Sequence, residues 1–195
     1  MKIVLATSNP GKLREFQALS QAAPDLELVL APAGFNPEET GATFVDNALL
    51  KAREAAKLCQ LPAIADDSGL SVEALNGRPG IHSARYCEGS DGDRRKKLLH
   101  ELKDIPLDQR KAAFVCAIAM VDSNGEVLFT CEQQWPGHIS LTEIGSNGFG
   151  FDPVFVPLGS NITAAQMEPA AKNELSHRGQ AWRRFLNHVA TLEPI

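Results

Sequence analysis

Two adjacent carboxylates, a hydroxyl and a glycine, Asp66-Asp67-Ser68-Gly69, follow directly on a short apolar run, Pro62-Ala63-Ile64-Ala65. The apolar part predicts a short buried strand, and the polar part the point where it breaks. In an α/β chain the carboxyl end of a strand is where ligands collect. Hard oxygen donors there suit magnesium and a water to be activated beside it. Asp, Ser and Gly are equally the ordinary stock of a turn, so this stretch alone admits both readings. Neighbouring residues on an extended segment point to opposite sides, so Asp66 and Asp67 are expected to share a task only if a turn reorients them.

Other stretches carry residues of comparable interest. Thr7-Ser8-Asn9-Pro10-Gly11-Lys12 joins a predicted strand to a predicted helix, where backbone N–H groups can meet phosphate and Lys12 adds a mobile charge. It is not a Walker loop, because the spaced glycine pair is missing and Leu13 follows the lysine. A plain Asn-Pro-Gly turn is the alternative. Glu38 and Glu39 lie on a polar loop and matter only if that loop faces the Asp pair. Lys51 lies on a predicted helix opposite the apolar face, with Asn47 and Glu54, either reaching a ligand or facing solvent. In Gly148-Phe149-Gly150-Phe151-Asp152-Pro153, glycines beside an aromatic let a flat ligand approach the backbone while a ring stacks on it. Ser176-His177-Arg178 is either a base-reading device or helix surface.

The elements that must position these residues follow from periodicity. Strands are predicted over residues 2–7 and 26–31. A helix over 13–22 turns Leu13, Phe16 and Leu19 to one face. The helix over 43–59 opens on a capping box, Thr43 with Asp46, and buries Val45, Ala48, Leu49, Ala52, Ala55 and Ala56. A turn-rich segment over 77–85 ends in a short helix. A helix over 91–103 points Leu98, Leu99 and Leu102 inward, with Arg94-Arg95-Lys96-Lys97 as a solvated face. Strands over 112–121 and 126–134 flank the turn Asp122-Ser123-Asn124-Gly125, and Trp135 to Ile139 extends or bends the second. A short strand covers 154–156. One last helix is expected from Pro169 to about Leu192, with Trp182, Phe185, Val189 and Leu192 on its core side. No repeat or linker interrupts residues 1–195, which read as one domain.

Composition is that of an ordinary globular chain: 195 residues, 44% hydrophobic and 22% charged. With 19 basic and 24 acidic residues the formal charge is -5, which argues against nucleic acid as a partner but not against a nucleotide. Cys59, Cys87, Cys116 and Cys131 form no C-x-x-C pair and read as reduced packing residues. The first residues are too short for a signal-peptide core, and no run reaches membrane-spanning length. A cytoplasmic location away from membranes is expected.

Taken together, the scattered pieces resemble the inosine triphosphate pyrophosphatases, which act on non-canonical purine nucleoside triphosphates. The matching stretches are Thr7-Ser8-Asn9 through Lys12, Glu38-Glu39-Thr40-Gly41, Phe44 through Lys51-Ala52 and Ala65-Asp66-Asp67-Ser68-Gly69-Leu70. They continue with Pro79-Gly80-Ile81, Ser83-Ala84-Arg85, Gly148 through Pro153, Lys172-Asn173 and Ser176-His177-Arg178. The resemblance implies a two-lobed α/β fold, with a long mixed β-sheet flanked by helices and a substrate cleft between the lobes. It also implies a homodimer and magnesium-dependent hydrolysis of ITP, dITP or XTP to the monophosphate and pyrophosphate. Under it, Thr7, Ser8, Asn9, Pro10, Gly11 and Lys12 hold phosphate, with Lys51 as a further candidate. Glu38, Asp66 and Asp67 organise magnesium, with Asp67 also the general base, and Ser68 touches substrate. Phe149 stacks on the purine, with Gly150, Phe151 and Asp152 lining its pocket, and Lys172, His177 and Arg178 complete recognition. Ser8 and Phe151 stand where glycine and tyrosine are frequent, and Gln166 and Ala171 replace acidic residues often seen ahead of Lys172.

Inosine and xanthine present a 6-oxo acceptor that donors from His177, Arg178 or the backbone can meet. Adenine presents a donor and leaves them unpaired, a mismatch worth about 10⁴–10⁵-fold in hydrogen-bonding sites. The alternatives are a related pyrophosphatase for ordinary or modified pyrimidine nucleotides and a nucleotide-binding protein without catalysis.

Overall fold

The computed structural model describes residues 1–191. Its elements in order are β1 (Lys2–Leu5), α1 (Pro10–Ser20), β2 (Glu27–Leu30), α2 (Phe44–Cys59), β3 (Ala63–Val72) and α3 (Asp91–Glu101). They continue with β4 (Lys111–Val121), β5 (Val127–Ile139), β6 (Phe155–Pro157), α4 (Pro169–Leu175) and α5 (His177–Val189). All six strands form one sheet, in the order β2-β1-β3-β4-β5-β6. β1 pairs in parallel with β2 and β3, and β5 pairs antiparallel with β6. This is the mixed-sheet α/β class that the sequence predicts. Among the described residues no helix is long and apolar enough to cross a membrane.

The chain forms two compact units. The first takes Met1–Asp67, Cys116–Gln133 and the chain from Arg178, and its core is a direct product of the pleat. Ile3, Leu5, Ile64, Cys116, Ile118 and Met120 pack with Phe16 of α1 and Trp182 and Phe185 of α5. Their neighbours Val4, Ala6, Ala63 and Ala65 pack with Ala52, Ala55 and Ala56 of α2. Alternate residues thus serve alternate faces, as strand geometry requires. Each fully buried large apolar side chain stabilises the fold by about 1.5–3 kcal/mol relative to exposure.

The second unit, Ser68–Val115 and Gln134–His177, buries Leu70, Val72, Leu98, Leu102, Phe114, Trp135, Ile139 and Phe155 together. Ser90 and Asp93 form a reciprocal capping box at the start of α3. Arg110 is buried and ties the end of that helix to the sheet. It donates to the carbonyls of Leu102 (2.7 Å), Ile105 (2.9 Å) and Ser140 (3.1 Å). All four cysteines are free thiols.

Three local expectations change. Asp66-Asp67-Ser68-Gly69 does not end its strand: β3 continues to Val72. β3 lies between β1 and β4 in the sheet, and this tertiary setting overrides the turn preference of these residues. α1 begins at Pro10, earlier than the apolar spacing suggests, because Asn9 caps it and proline suits the first helical position. The final helix is two helices, since Ser176 sits between them with extended angles (φ −67, ψ 159). α5 ends at Val189, short of the expected end near Leu192, a residue that lies outside the described ones.

Candidate active site

The first unit places the Asp pair by the same alternation that builds its core. Asp66 shares the face of Ile64, towards α1 and α5, and Asp67 that of Ala63 and Ala65, towards α2. Lys12 Nζ lies 2.8 Å from Asp66 Oδ2, and Arg178 Nη2 lies 3.6 Å from the same oxygen. Arg178 Nη1 donates to Glu15, which stands on α1 one turn beyond Lys12. Burial alone raises the Asp66 carboxyl, but Lys12, Arg178 and Lys51 outweigh it and hold the group well below the usual carboxylate range.

On the other face Asp67 Oδ1 accepts from Lys51 Nζ at 2.8 Å, and Oδ2 from Asn47 Nδ2 at 3.3 Å. Lys51 Nζ also reaches Glu39 Oε1 at 2.7 Å, and Asn47 Oδ1 accepts from the Gly41 N–H at 2.8 Å. Asn47 and Lys51 are therefore buried, not turned to solvent. Burial opposes the Lys51 charge, yet Asp67 and Asp66 outweigh it and raise the group above its ordinary value. Burial pushes the Asp67 carboxyl up; Lys51 and Lys12 oppose this and Glu39 adds to it, leaving it raised.

The turn ahead of α1 is already capped. Asn9 Oδ1 accepts from the N–H groups of Gly11 (2.8 Å) and Lys12 (3.1 Å). The Leu13 N–H goes to the Asn9 carbonyl, and Pro10 has no N–H to give. Thr7 is half-buried, Gly11 is buried, and Ser8, Asn9 and Pro10 are exposed. Glu38 is exposed on its loop while Glu39 turns to Lys51.

The second unit carries a separate cluster on the glycine-rich loop. Asp152 Oδ2 accepts from the Phe149 N–H at 2.8 Å and from Lys172 Nζ at 2.5 Å. Lys172 Nζ lies 5.1 Å from the Phe149 ring centroid. Asp152 and Lys172 are buried and Phe149 is half-buried. Phe151 belongs to the hydrophobic core and meets the Tyr86 ring edge-on at 6.5 Å. The buried His177 ring lies nearly parallel to Phe114, with centroids 4.9 Å apart, and also stacks on Trp135. Ser68 is half-buried on β3.

Glu15 is absent from the sequence reading, and Glu39 and Asn47 enter it without an assigned role. Asn47 had a signal: it precedes Lys51 by one helical turn, so the two share a face. Glu15 likewise follows Lys12 by one turn. For the choice of Glu39 over Glu38, a loop offers no such periodicity.

As a donor set for a metal ion, Asp66, Asp67 and Glu39 offer only carboxylate oxygens, the chemistry that magnesium prefers. Among the described residues no group of three or more His, Cys, Asp or Glu is placed to hold an ion. Magnesium commonly takes only one or two carboxylates and completes its shell with water and substrate phosphate, so Asp67 and Glu39, which meet at Lys51 on one face, fit that ion in the presence of a phosphate ligand, while Asp66 lies on the other face.

Fold and clusters together define a mixed-sheet α/β protein with buried lysine–carboxylate groups in each of its two units. More particularly, the chain belongs to the Ham1 family, whose model it matches over residues 3–188. It is 47% identical over 195 residues to the dITP/XTP pyrophosphatase of Vibrio cholerae, covering 96% of each chain. It is 45% identical over 190 residues to that of Escherichia coli O157:H7, covering 95% of this chain and 96% of the other. Among solved structures, a HAM1 protein from Coxiella burnetii superposes with a TM-score of 0.88 at 39% identity, over 98% of this chain and 100% of the other. A nucleoside-triphosphatase / dITP/XTP pyrophosphatase from Mycobacterium abscessus gives 0.75 at 46% identity, over 95% and 99%. The family resemblance drawn from the scattered motifs is thereby confirmed.

Proposed function

We propose that the protein is a nucleoside triphosphate pyrophosphatase, hydrolysing dITP, ITP and XTP to the monophosphate and pyrophosphate with magnesium. The observation that carries this reading, beside the family, is the separation of the Asp pair onto two faces with a lysine on each. Water attacks the α-phosphorus and its proton passes to Asp67. The bond from the α-phosphorus to the bridging oxygen breaks, and pyrophosphate leaves. Asp67, its carboxylate held by Lys51 and Asn47, is the group assigned to take that proton. Lys12 and Lys51 carry the charge that a leaving pyrophosphate needs opposite it.

Asp67 and a loop glutamate would hold the ion, with Asp66, on the other face, supporting the site through Lys12 and Arg178. Glu39, turned to Lys51, suits that part better than the exposed Glu38. Magnesium supplies charge neutralisation of the phosphates and acidifies bound water. Thr7 to Gly11 and Ser68 are assigned to phosphate and sugar contacts. Phe149 is assigned as the stacking surface for the purine, with Gly150, Asp152 and Lys172 maintaining it and Phe151 supporting it from the core. His177, held by Phe114 and Trp135, is the donor for the 6-oxo group. Arg178, engaged by Glu15 and Asp66, fixes Asp66.

A pyrophosphate-release screen over dITP, ITP, XTP, GTP and dTTP, with and without magnesium, tests the reading. Magnesium-dependent release from the first three is expected, and a preference for dTTP refutes it. Asp67→Asn is expected to abolish turnover and keep the fold. The family resemblance also supports a cytoplasmic homodimer, tested by light scattering and cell fractionation; a monomer refutes the assembly.

A further inference from the structure

The basic run of α3 reads from sequence as a solvated face, and for Lys96 it is one, with a side chain 78% exposed. Arg95 is different. Its Nε donates to Glu143 Oε2 at 2.8 Å, and its Nη1 donates to the Gly150 carbonyl at 2.8 Å. One turn earlier on the same face, Asp91 Oδ2 accepts from the Gly150 N–H at 2.9 Å. Two oppositely charged residues four apart on one helix thus grip both polar groups of a single glycine more than fifty positions away. Both bonds are charge-assisted, the stronger kind.

That glycine follows Phe149. The Phe149 N–H goes to Asp152, and the Phe149 carbonyl accepts from the Asp152 N–H at 3.2 Å. The N–H and C=O of both Phe149 and Gly150 are therefore committed, the first pair to Asp152 and the second to α3. Gly148 and Gly150 flank the ring with φ of +75 and +60, and a segment of such glycines is free to wander unless held. Phe151 is fixed by core packing, and the half-buried Phe149 ring lies 5.1 Å from Lys172 Nζ.

We propose that Asp91 and Arg95 are positioning residues for nucleobase binding. By clamping the Gly150 peptide they hold the Phe149 ring ready to stack, so that the loop is ordered on folding and not at the expense of affinity. This rests on the reading of Phe149 as the purine platform, and it explains why a partly exposed carboxylate and an arginine of α3 are turned to a loop instead of to each other.

The test compares Arg95→Ala, Arg95→Lys, Lys96→Ala, Phe149→Ala and the Arg95→Ala/Phe149→Ala double variant in steady-state hydrolysis of dITP. Arg95→Ala is expected to raise KM about tenfold with little change in kcat, the mark of lost uniform binding. Arg95→Lys should recover part of that loss. The double variant should be no worse than Phe149→Ala, because the arginine acts through the ring. Lys96→Ala removes the same charge from the same helix and should leave KM unmoved.

An additive double variant, an unchanged KM in Arg95→Ala, or an equal rise in Lys96→Ala each overturns the proposal. A wild type that releases no pyrophosphate from dITP, ITP or XTP overturns the functional reading instead. In that event amide hydrogen exchange over residues 148–151 decides the clamp alone. Faster exchange in Arg95→Ala supports it, and unchanged exchange refutes it.

Discussion

Replacing Gly148 by alanine is the sharpest perturbation that the structure offers. The backbone there has φ +75, and an added Cβ falls 2.0 Å from Asp152 Oδ2 and 3.2 Å from Lys172 Nζ. Asp152 must retreat by more than 1 Å to reach the ordinary contact distance of 3.4 Å. That retreat breaks its 2.5 Å bond with Lys172 and its 2.8 Å bond from the Phe149 N–H. A left-handed alanine costs about 1–2 kcal/mol, and loss of a buried charge-assisted bond about 1.5–3 kcal/mol. With both bonds lost the expected total is about 4–8 kcal/mol, a large part of the ~5–15 kcal/mol that holds a typical protein folded. Gly150→Ala is the control, since its φ is +60 but nothing lies within 4 Å of the added Cβ. It should lose only the backbone part, about 1–2 kcal/mol. Urea titration of both variants, followed by a probe in the second unit, measures the difference. The KM for dITP should rise more in Gly148→Ala. Equal losses in the two variants refute the claim that close approach to Asp152 is what requires glycine at 148.

Asp66→Asn should destabilise the protein by about 3–5 kcal/mol, because it leaves the Lys12 and Arg178 charges buried without their shared carboxylate; a urea midpoint unchanged from wild type refutes this. In metal-free buffer the same residue sets a pH dependence. Its folded pKa is depressed, so its contribution is fully present above the unfolded value of about 3.9 and fades as pH falls from there towards the folded value. Thermal melts from pH 5 downward should show that slope in wild type and a shallower one in Asp66→Asn. Arg110→Met should cost about 2–4 kcal/mol, since three backbone carbonyls lose their donor; a melting temperature within error of wild type contradicts that role. Thr43→Ala removes the side-chain cap of α2 and should cost about 1 kcal/mol by urea titration, with no effect if α2 is held by packing alone.

Local chemistry was legible wherever one element decides it. The Thr43–Asp46 box, the Leu98 and Leu102 stripe and the Trp182 and Phe185 stripe all stand where periodicity puts them. What escaped is decided by partners distant in sequence. The side of α2 carrying Asn47 and Lys51 reads as polar, which leaves a ligand and solvent equally open. It is buried because Asp67, 16 residues beyond Lys51, supplies an opposite charge. The break between α4 and α5 leaves no proline or glycine at Ser176 to announce it. The basic run of α3 looks uniform, yet Arg95 differs from Lys96 only because Gly150 and Glu143 come within its reach.

The Asp66-Asp67 pair shows the same division within two residues. Had the strand broken there, as turn-forming residues suggest, both carboxylates could have turned to one side and shared one partner. Because β3 runs straight through, the pleat sends them apart. Asp66 goes to the face where α1 and α5 bring Lys12 and Arg178, and Asp67 to the face where α2 brings Asn47 and Lys51. Their environments then diverge: three cations depress the first despite its complete burial, while burial prevails in the second. Two residues of one type are thus shifted in opposite directions by the different burial and partners that strand parity gives them. A one-residue slip of β3 would exchange the faces and set each aspartate among the other's partners. The register that β1 imposes on β3 through Val4 with Ala63 and Leu5 with Ile64 is therefore as much a part of the site as the carboxylates themselves.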